Sequence, residues 1–151
     1  MHVQVDQSGT KIERTHRETV LAFSDDVEGA VVIPAKVKKE CVAALRKESW
    51  KAQVFVLQVF VAGIFLLLQD YLARIDSITV DQEYPGRDGD IKGMLLNLIR
   101  QVQGDFPKEN LIFEEIGRHS RAHHKAYGVY KGFQKPDKVL TTEEILTVLR
   151  K

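Results

Sequence analysis

The sequence predicts a single α/β domain built on a five-stranded mixed sheet of order 3-2-1-4-5, with helices on both faces. Its 151 residues fit one domain, and 44% hydrophobic with 28% charged residues is typical of a soluble globular protein. Three strand-like segments open the chain, and helical and strand-like segments then alternate. Right-handed crossovers would place the fourth strand beside the first and the fifth beyond it.

The opening segment is predicted to form an antiparallel three-stranded meander. Val3 and Val5 alternate with polar residues, and a period of two is typical of a strand with one polar side. The segments 19–24 and 30–33 have strand composition and are separated by an acidic turn, and Pro34 ends the third strand. Consecutive strands with such short connections pair with each other.

Two helical segments follow the meander. Residues 35–47 carry apolar side chains at helical spacing, and residues 52–68 are apolar nearly all round. The second segment is slightly shorter than the roughly 20 residues that span a bilayer and contains Gln53 and Gln58, so we expect a buried central helix and no stable membrane insertion. A helix that is apolar on every side must be covered on every side, which favours a homodimer.

The second half of the chain alternates between strands and helices. The predicted elements are a strand over 77–81, a helix over 91–103 that Asp90 could cap, and a strand over 110–116. Residues 119–130 could form a helix or a loop, and 131–139 form a linker. Thr141 and Glu144 have the spacing of a capping box, which predicts a last helix over 142–150. Residues 136–151 are therefore expected to be a C-terminal helical extension of a domain that spans 1–151.

Acidic residues end two strands that should be neighbours. Asp6 ends the predicted first strand, Asp81 ends the fourth, and Glu83 follows two residues later. Ligands collect at the carboxyl ends of the central strands of an open α/β sheet. Carboxylates that converge there repel each other unless a cation intervenes, and hard oxygen ligands suit Mg²⁺ or Mn²⁺. The alternative is that each acid belongs to a turn or a cap, where Asp is common.

The order of the elements and two Asp motifs resemble the ribonuclease H-like superfamily, which includes ribonuclease H, Holliday-junction resolvases, retroviral integrases and many transposases. The motifs are Val5-Asp6-Gln7-Ser8-Gly9 and Thr79-Val80-Asp81-Gln82-Glu83-Tyr84, and the resemblance covers residues 1–130. It implies that Asp6 and Asp81 ligate a divalent metal. It also implies a further ligand near the last core helix, where His123 or His124 stands in place of the Asp of many members.

The chain departs from the family pattern in its long helix. Members carry a third acid on the first helix, but the matching stretch offers only Gln53 and Gln58. A neutral amide there would weaken metal binding. Three other acids lie near the expected site and could compensate: Glu83, Glu114 and Glu115.

The segment 117–135 is basic and contains no acid, although the net charge of the chain is only +1. Tyrosine, phenylalanine and histidine residues alternate with its cationic side chains, and this combination favours contact with nucleic acid. We expect three residues to hold phosphates: Arg118, Arg121 and Lys125. The alternative is a solvated positive surface with the tyrosines packed inward.

These observations lead to one functional hypothesis and one alternative. The hypothesis is a metal-dependent nuclease that hydrolyses phosphodiester bonds, with four candidate catalytic residues: Asp6, Asp81, His123 and His124. The alternative is a catalytically eroded ribonuclease H-like scaffold that acts as a nucleic-acid-binding or assembly module, as the missing helix acid would suggest. The only cysteine, Cys41, cannot form an internal disulfide, and this suits a reducing cytoplasm.

Overall fold

The computed structural model describes residues 1–48 and 52–150, which form one mixed sheet with helices on both faces. The sheet has six strands in the order β5-β4-β1-β2-β3-β6. The strands are β1 (His2–Gly9), β2 (Thr19–Ser24), β3 (Glu28–Ile33), β4 (Ser77–Asp81), β5 (Leu111–Glu114) and β6 (Lys138–Val139). The five-stranded sheet expected from the sequence was therefore wrong by one edge strand.

The additional strand, β6, lies within the predicted linker. It pairs with β3 in parallel, with Lys138 opposite Val31 and Val139 opposite Val32. Asp137 secures its start, because its side chain accepts a hydrogen bond from the Ala30 amide at 2.7 Å. Two residues are too few to show a period of two, so the sequence carries no signal for this strand.

The central pairings agree with the sequence prediction. β1 and β2 are antiparallel, as are β2 and β3, and β4 lies parallel to β1 on one side and to β5 on the other. The pairing of β1 with β4 ends at Val5 and Val80, whereas β1 continues along β2 as far as Gly9. Asp6 is therefore inside β1, opposite Ala22 of β2, and does not end the strand as expected.

Within the described residues, five α-helices connect or follow the strands: α1 (Ala35–Glu48), α2 (Ala52–Leu68), α3 (Asp88–Val102), α4 (Arg121–Tyr130) and α5 (Thr142–Leu149). Helix α3 begins before Asp90, which is therefore in its first turn and pairs with Arg87 at 2.9 Å rather than capping the helix. The open alternative at 119–130 is settled in favour of a helix from Arg121, because the Ser120 hydroxyl caps it by accepting from the His123 amide at 3.0 Å. The capping box of Thr141 and Glu144 is confirmed.

The helices divide unequally between the two faces of the sheet. Leu21 and Phe23 of β2 belong to the large core that α1, α2, α3 and α5 share, whereas Val20 and Ala22 pack against α4. Successive strand residues point to opposite faces, and this alternation separates the two cores. Helix α2 lies directly on the sheet, since a Cβ at Gly63 would come within 2.7 Å of the Leu21 side chain.

The chain itself covers its most apolar helix. Every side chain from Val59 to Leu68 is buried, and α2 packs against the other three helices on its face and against β2 and β3. The stretch Val54–Arg74 is long and apolar enough to cross a membrane, but 67% of its most apolar window is buried, as in the core helix of a soluble protein. Residues 59–68 therefore need no second copy of the chain to cover them. The homodimer stays a prediction.

A buried lysine fastens the connection between β1 and β2. Lys38 of α1 has no exposed surface, and its ammonium group donates to the hydroxyls of Thr10 and Thr19 at 2.9 and 3.0 Å. It also donates to the carbonyls of Lys11 and Arg14 at 3.2 and 2.7 Å. Desolvation lowers the pKa of Lys38 to about 8. Helix α1 and the 10–18 connection are therefore tied together at one point.

Candidate metal centre

Three carboxylates converge where the pairing of β1 with β4 ends. Asp6, Asp81 and Glu83 each place an oxygen within 4.8 Å of the others. Val5 and Val80 pair and face the large core, so the residues that follow them point to the opposite face, towards α4. Glu83 joins them from the loop after β4.

Hydrogen bonds hold two of these carboxylates in place. Asp6 is 5% exposed, and its Oδ1 accepts from the Gln7 amide at 2.8 Å while its Oδ2 lies 3.0 Å from Nδ1 of His123. Asp81 Oδ1 accepts from the amide of Ile116 at 2.8 Å. The carboxylates are thus positioned by the strands β1 and β4, the first turn of α4 and the segment after β5.

Two of the three carboxyls, those of Asp6 and Glu83, have raised pKa values and hold protons more tightly than isolated carboxyls do. The pKa of Glu83 is raised to about 8, mainly by burial and also by a hydrogen bond with Asp81 and by the charges of Asp81 and Asp6. Burial and the charge of Asp81 raise the pKa of Asp6, against the hydrogen bonds from Gln7 and His123. At neutral pH, Glu83 is therefore mostly protonated and shares its proton with Asp81.

The three carboxylates lack a matching set of cations. In the described part of the chain, their ion pairs are limited to the one between Asp6 and His123. The charge of Lys11 acts on Glu83 but is the smallest influence on its pKa. A divalent cation would neutralise the negative charge of the carboxylates. Without one, Asp6 and Glu83 reduce that charge by retaining protons.

A polar cavity of about 530 Å³ opens over the cluster. Besides the three acids, its lining includes Gln7, Glu115, Arg118 and His123. The side-chain oxygen of Gln7 is buried without a hydrogen-bond partner among the described residues, while its amide nitrogen donates to Glu83 at 3.5 Å. Carboxylate and amide oxygens with one imidazole nitrogen are a donor set that Mg²⁺ and Mn²⁺ accept, so the residues present fit such an ion.

The predicted site residues divide between this cavity and the surface around it. The cavity brings together Asp6, Asp81 and His123. His124 is exposed, does not line the cavity, and has its ring centroid 5.9 Å from that of His123. A helix turns by about 100° per residue, so consecutive residues of α4 cannot both face the cluster.

The acids named as substitutes for the missing helix acid also differ in position. Glu83 belongs to the cluster, Glu115 lines the cavity, and Glu114 is an exposed residue of β5 opposite Asp81. On α2, Gln58 is half-buried and does not line the cavity, and the side chain of Gln53 lies outside the described residues.

The predicted phosphate-binding residues surround the first turns of α4. Arg118 lines the cavity, Lys125 is half-buried, and Arg121 donates a hydrogen bond to the Asp25 carbonyl. Further along α4, the Tyr127 ring stacks on that of His123 with centroids 6.4 Å apart, and Lys131 Nζ lies 5.7 Å from the Tyr127 centroid. A line of aromatic and cationic side chains therefore leads from the cavity along α4.

Gln7 was not identified from the sequence as a residue that lines the acidic cavity. Gln7 directly follows Asp6 in the strand, and because successive strand residues point to opposite faces, its side chain is expected to point away from the cluster. The β4–α3 loop places Glu83 within hydrogen-bond distance of Gln7, and no local sequence pattern predicts that contact. The only available signal was the proximity of Gln7 to Asp6 in the motif.

Comparison of the chain with protein-family models, with curated proteins and with solved structures finds no match. The fold and the site together define a class of protein: an α/β domain whose mixed sheet carries a partly buried acidic cluster where the pairing of two neighbouring parallel strands ends.

Proposed function

We propose that this chain is a ribonuclease H-like, metal-dependent nuclease that hydrolyses phosphodiester bonds of nucleic acid. Mg²⁺ or Mn²⁺ would be held by Asp6, Asp81 and Glu83. The observation that carries the proposal is the convergence of these three carboxylates within 4.8 Å, beside a histidine and an arginine. Glu83 would then supply the third carboxylate that the family takes from its first helix.

The three acids would act as ligands and as guides for orientation. A bound divalent metal would supply a Lewis acid for the phosphate and would lower the pKa of a coordinated water. Asp6 and Asp81 directly follow the last paired residues of β1 and β4, Val5 and Val80, and this places their carboxylates together at one end of that ladder. Glu83 must release its proton before it can ligate.

His123 would position Asp6 and take up a proton. A proton on Nδ1, donated to Asp6, leaves Nε2 as the accepting nitrogen. Hydrolysis joins a water oxygen to phosphorus and breaks one P–O bond to the leaving strand; the proton lost by the water would pass to His123, and the leaving oxygen would take a proton from solvent. His124 has no comparable bond to the cluster, so we assign the catalytic role to His123 alone.

The surface around the cavity has the charge that a phosphate backbone requires. Arg118 stands at the cavity, Lys125 follows on α4, and Lys131 comes directly after the last residue of that helix. Arg121 is engaged with the Asp25 carbonyl and would act by its charge at longer range. A cytoplasmic location agrees with the lone cysteine, Cys41, which is buried and reduced.

The test is a cleavage assay with branched, hybrid and single-stranded substrates in Mn²⁺. We expect the wild-type protein to cut at least one of them, and Asp6→Asn and Asp81→Asn to cut it at least a hundredfold more slowly. Asp105→Asn is the matched control, because Asp105 is an exposed acid outside the cavity. Equal cleavage by the wild type and Asp6→Asn would remove Asp6 from the mechanism.

The second candidate function is a binding or assembly module with an eroded metal site. The observation in its favour is that the described side chains of α2 contribute no acid to the cavity. Calorimetric titration with Mn²⁺ separates the two candidates. Binding that Asp81→Asn abolishes supports the nuclease, whereas no binding at millimolar Mn²⁺ supports the eroded scaffold.

A further inference from the structure

A second cavity, of about 750 Å³, adjoins the metal centre. It lies between the 10–18 connection, α1, α2 and the loop that joins β4 to α3. Its walls include the apolar side chains of Val42, Val56 and Leu57, and its size is that of cavities that bind small organic ligands. Glu83 lines both this cavity and the acidic one and stands between them.

An aromatic ring forms a fixed part of the wall. The Tyr84 hydroxyl accepts a hydrogen bond from the Ile12 amide at 3.2 Å, and its ring packs edge-on against Phe60 with centroids 5.2 Å apart. Lys11 Nζ lies 5.6 Å from the centroid of the same ring. Tyr84 is only 9% exposed, so its ring is held in place in the wall, next to the ammonium group of Lys11.

Cationic side chains surround the apolar walls. Lys11, Lys39 and Arg46 line the cavity, and none of the three forms an ion pair with another residue that the structure describes. Glu13 and Glu83 are the acids of the lining. Apolar and aromatic walls suit a flat organic ring, and unpaired cations around them suit an attached phosphate.

We propose that this cavity receives one unpaired nucleotide of a nucleic-acid strand, next to the phosphodiester that lies at the acidic cluster. The inference rests on the proposed nuclease function and deepens it, because it names the substrate class as nucleic acid with an extrahelical or single-stranded nucleotide. Glu83 stands at the junction between the base-binding and the phosphate-binding compartments. A perfectly paired duplex would first have to release a base, at a cost that an unpaired nucleotide avoids.

The test compares two fluorescein-labelled duplexes, made once in DNA and once in RNA. One carries a single-nucleotide bulge, and the other carries the same bulge without its base. Binding is measured by anisotropy in Ca²⁺ under conditions where neither strand is cut. We expect the bulge with its base to bind about tenfold more tightly, since burial of one base contributes to affinity on that scale.

Two variants connect this difference to the cavity. Ala43→Trp places a large side chain at an exposed lining position of α1 and should bring the two affinities to within twofold. Lys39→Glu should weaken binding of the bulge that retains its base about tenfold. Lys36→Glu is the matched control, because it reverses an exposed charge on the same helix outside the cavity. Equal binding of the two duplexes by the wild type, or a preference that survives in both Ala43→Trp and Lys39→Glu, would overturn the inference.

The outcome is independent of whether the metal centre is active. Cleavage in Mn²⁺ without any effect of the base overturns the nucleotide cavity and leaves the nuclease standing. A preference for the base that Ala43→Trp removes, in a protein without Mn²⁺-dependent cleavage, supports the cavity and contradicts the nuclease. If Ala43→Trp does not fold, as judged by circular dichroism, Lys39→Glu and Arg46→Glu against Lys36→Glu decide the question.

Discussion

Nδ1 of His123 lies 3.0 Å from Oδ2 of Asp6, although the two residues are 117 positions apart in the chain. The contact exists because α4 is the only described helix on its face of the sheet and crosses β1 and β2. Ser120 caps α4 through the amide of His123 itself, so the cap fixes the histidine backbone directly above Asp6. The site therefore joins the first strand to the fourth helix.

Removal of the imidazole tests the role of this contact. We expect His123→Ala to lower the cleavage rate about a hundredfold, the size of a general-base contribution, while Mn²⁺ affinity falls by less than tenfold. His124→Ala is the control, because its side chain is exposed outside the cavity. Single-turnover cleavage and calorimetry measure the two quantities, and an equal loss of rate in the two variants would contradict the assignment.

Metal binding should stabilise the fold. Mn²⁺ at a hundred times its dissociation constant contributes about 2.7 kcal/mol to the free energy of unfolding. For a domain of this size that corresponds to a rise in Tm of about 5–10 °C. Scanning calorimetry should show the rise in the wild type and in Asp105→Asn but not in Asp81→Asn. A rise of the same size in Asp81→Asn would place the ion elsewhere.

The protonated Glu83 predicts how stability depends on pH without metal. Its pKa is raised in the fold to about 8, from an ordinary value of 4.5, so the folded chain binds more protons than the unfolded chain between these values. The free energy of unfolding therefore falls as the pH rises from 4.5 to about 8. Urea unfolding in EDTA at pH 5.5 and pH 8 should show this loss, and Glu83→Gln should reduce it.

The exposed Glu109 provides the control for this experiment. Glu109→Gln should retain the pH dependence of the wild type, since its side chain is exposed on the 3₁₀ turn before β5. The same linkage makes Mn²⁺ affinity increase with pH up to about 8, because the ion must displace the proton of Glu83. Affinity that is constant from pH 6 to pH 8 would exclude Glu83 as a ligand.

Replacement of Lys38 should lower the stability of the fold strongly, although the residue lies outside the acidic cluster. Lys38→Met leaves the buried hydroxyls and carbonyls around its ammonium group without their donor, and we expect a loss of about 2–4 kcal/mol in the free energy of unfolding. Lys36→Met, at an exposed position of the same helix, should change it by less than 0.5 kcal/mol. Urea denaturation measures both, and equal midpoints would contradict the role of Lys38.

Arg118 tests the nucleic-acid surface. Arg118→Ala should weaken binding of a single-stranded oligonucleotide and reduce the slope of log affinity against log salt by about 1, as expected for one lost phosphate contact. Lys108→Ala removes an exposed charge before β5 and should leave the slope unchanged. Titrations at several salt concentrations supply the slopes, and an unchanged slope in Arg118→Ala would remove this residue from the interface.

The proximity of Asp6 and Asp81 was predictable because it depends on the order of the strands in the sheet. A right-handed crossover from a meander places β4 beside β1. The acids that directly follow the paired residues Val5 and Val80 then lie together at the end of that ladder. The exact end of β1 was not needed, since Asp6 lies at the end of the ladder with β4 even though the strand continues.

The participation of Glu83 and Gln7 was not predictable to the same degree. Glu83 follows β4 in a loop whose path depends on Tyr84, which is anchored to Phe60 and to the Ile12 amide in two distant parts of the chain. Lys38 was likewise unremarkable in sequence, because its burial depends on where the 10–18 connection folds over α1. Loop paths of this kind are determined by tertiary packing rather than by local propensity.

The two edges of the sheet differ in how readily they could recruit a foreign strand. β6 is two residues long and carries Lys138, so that side offers few free amides and a charge that discourages templated aggregation. β5 is twice as long and exposes 43% of Ile112. Self-association of partly unfolded chains would therefore begin on the β5 side, and Ile112→Lys should slow it.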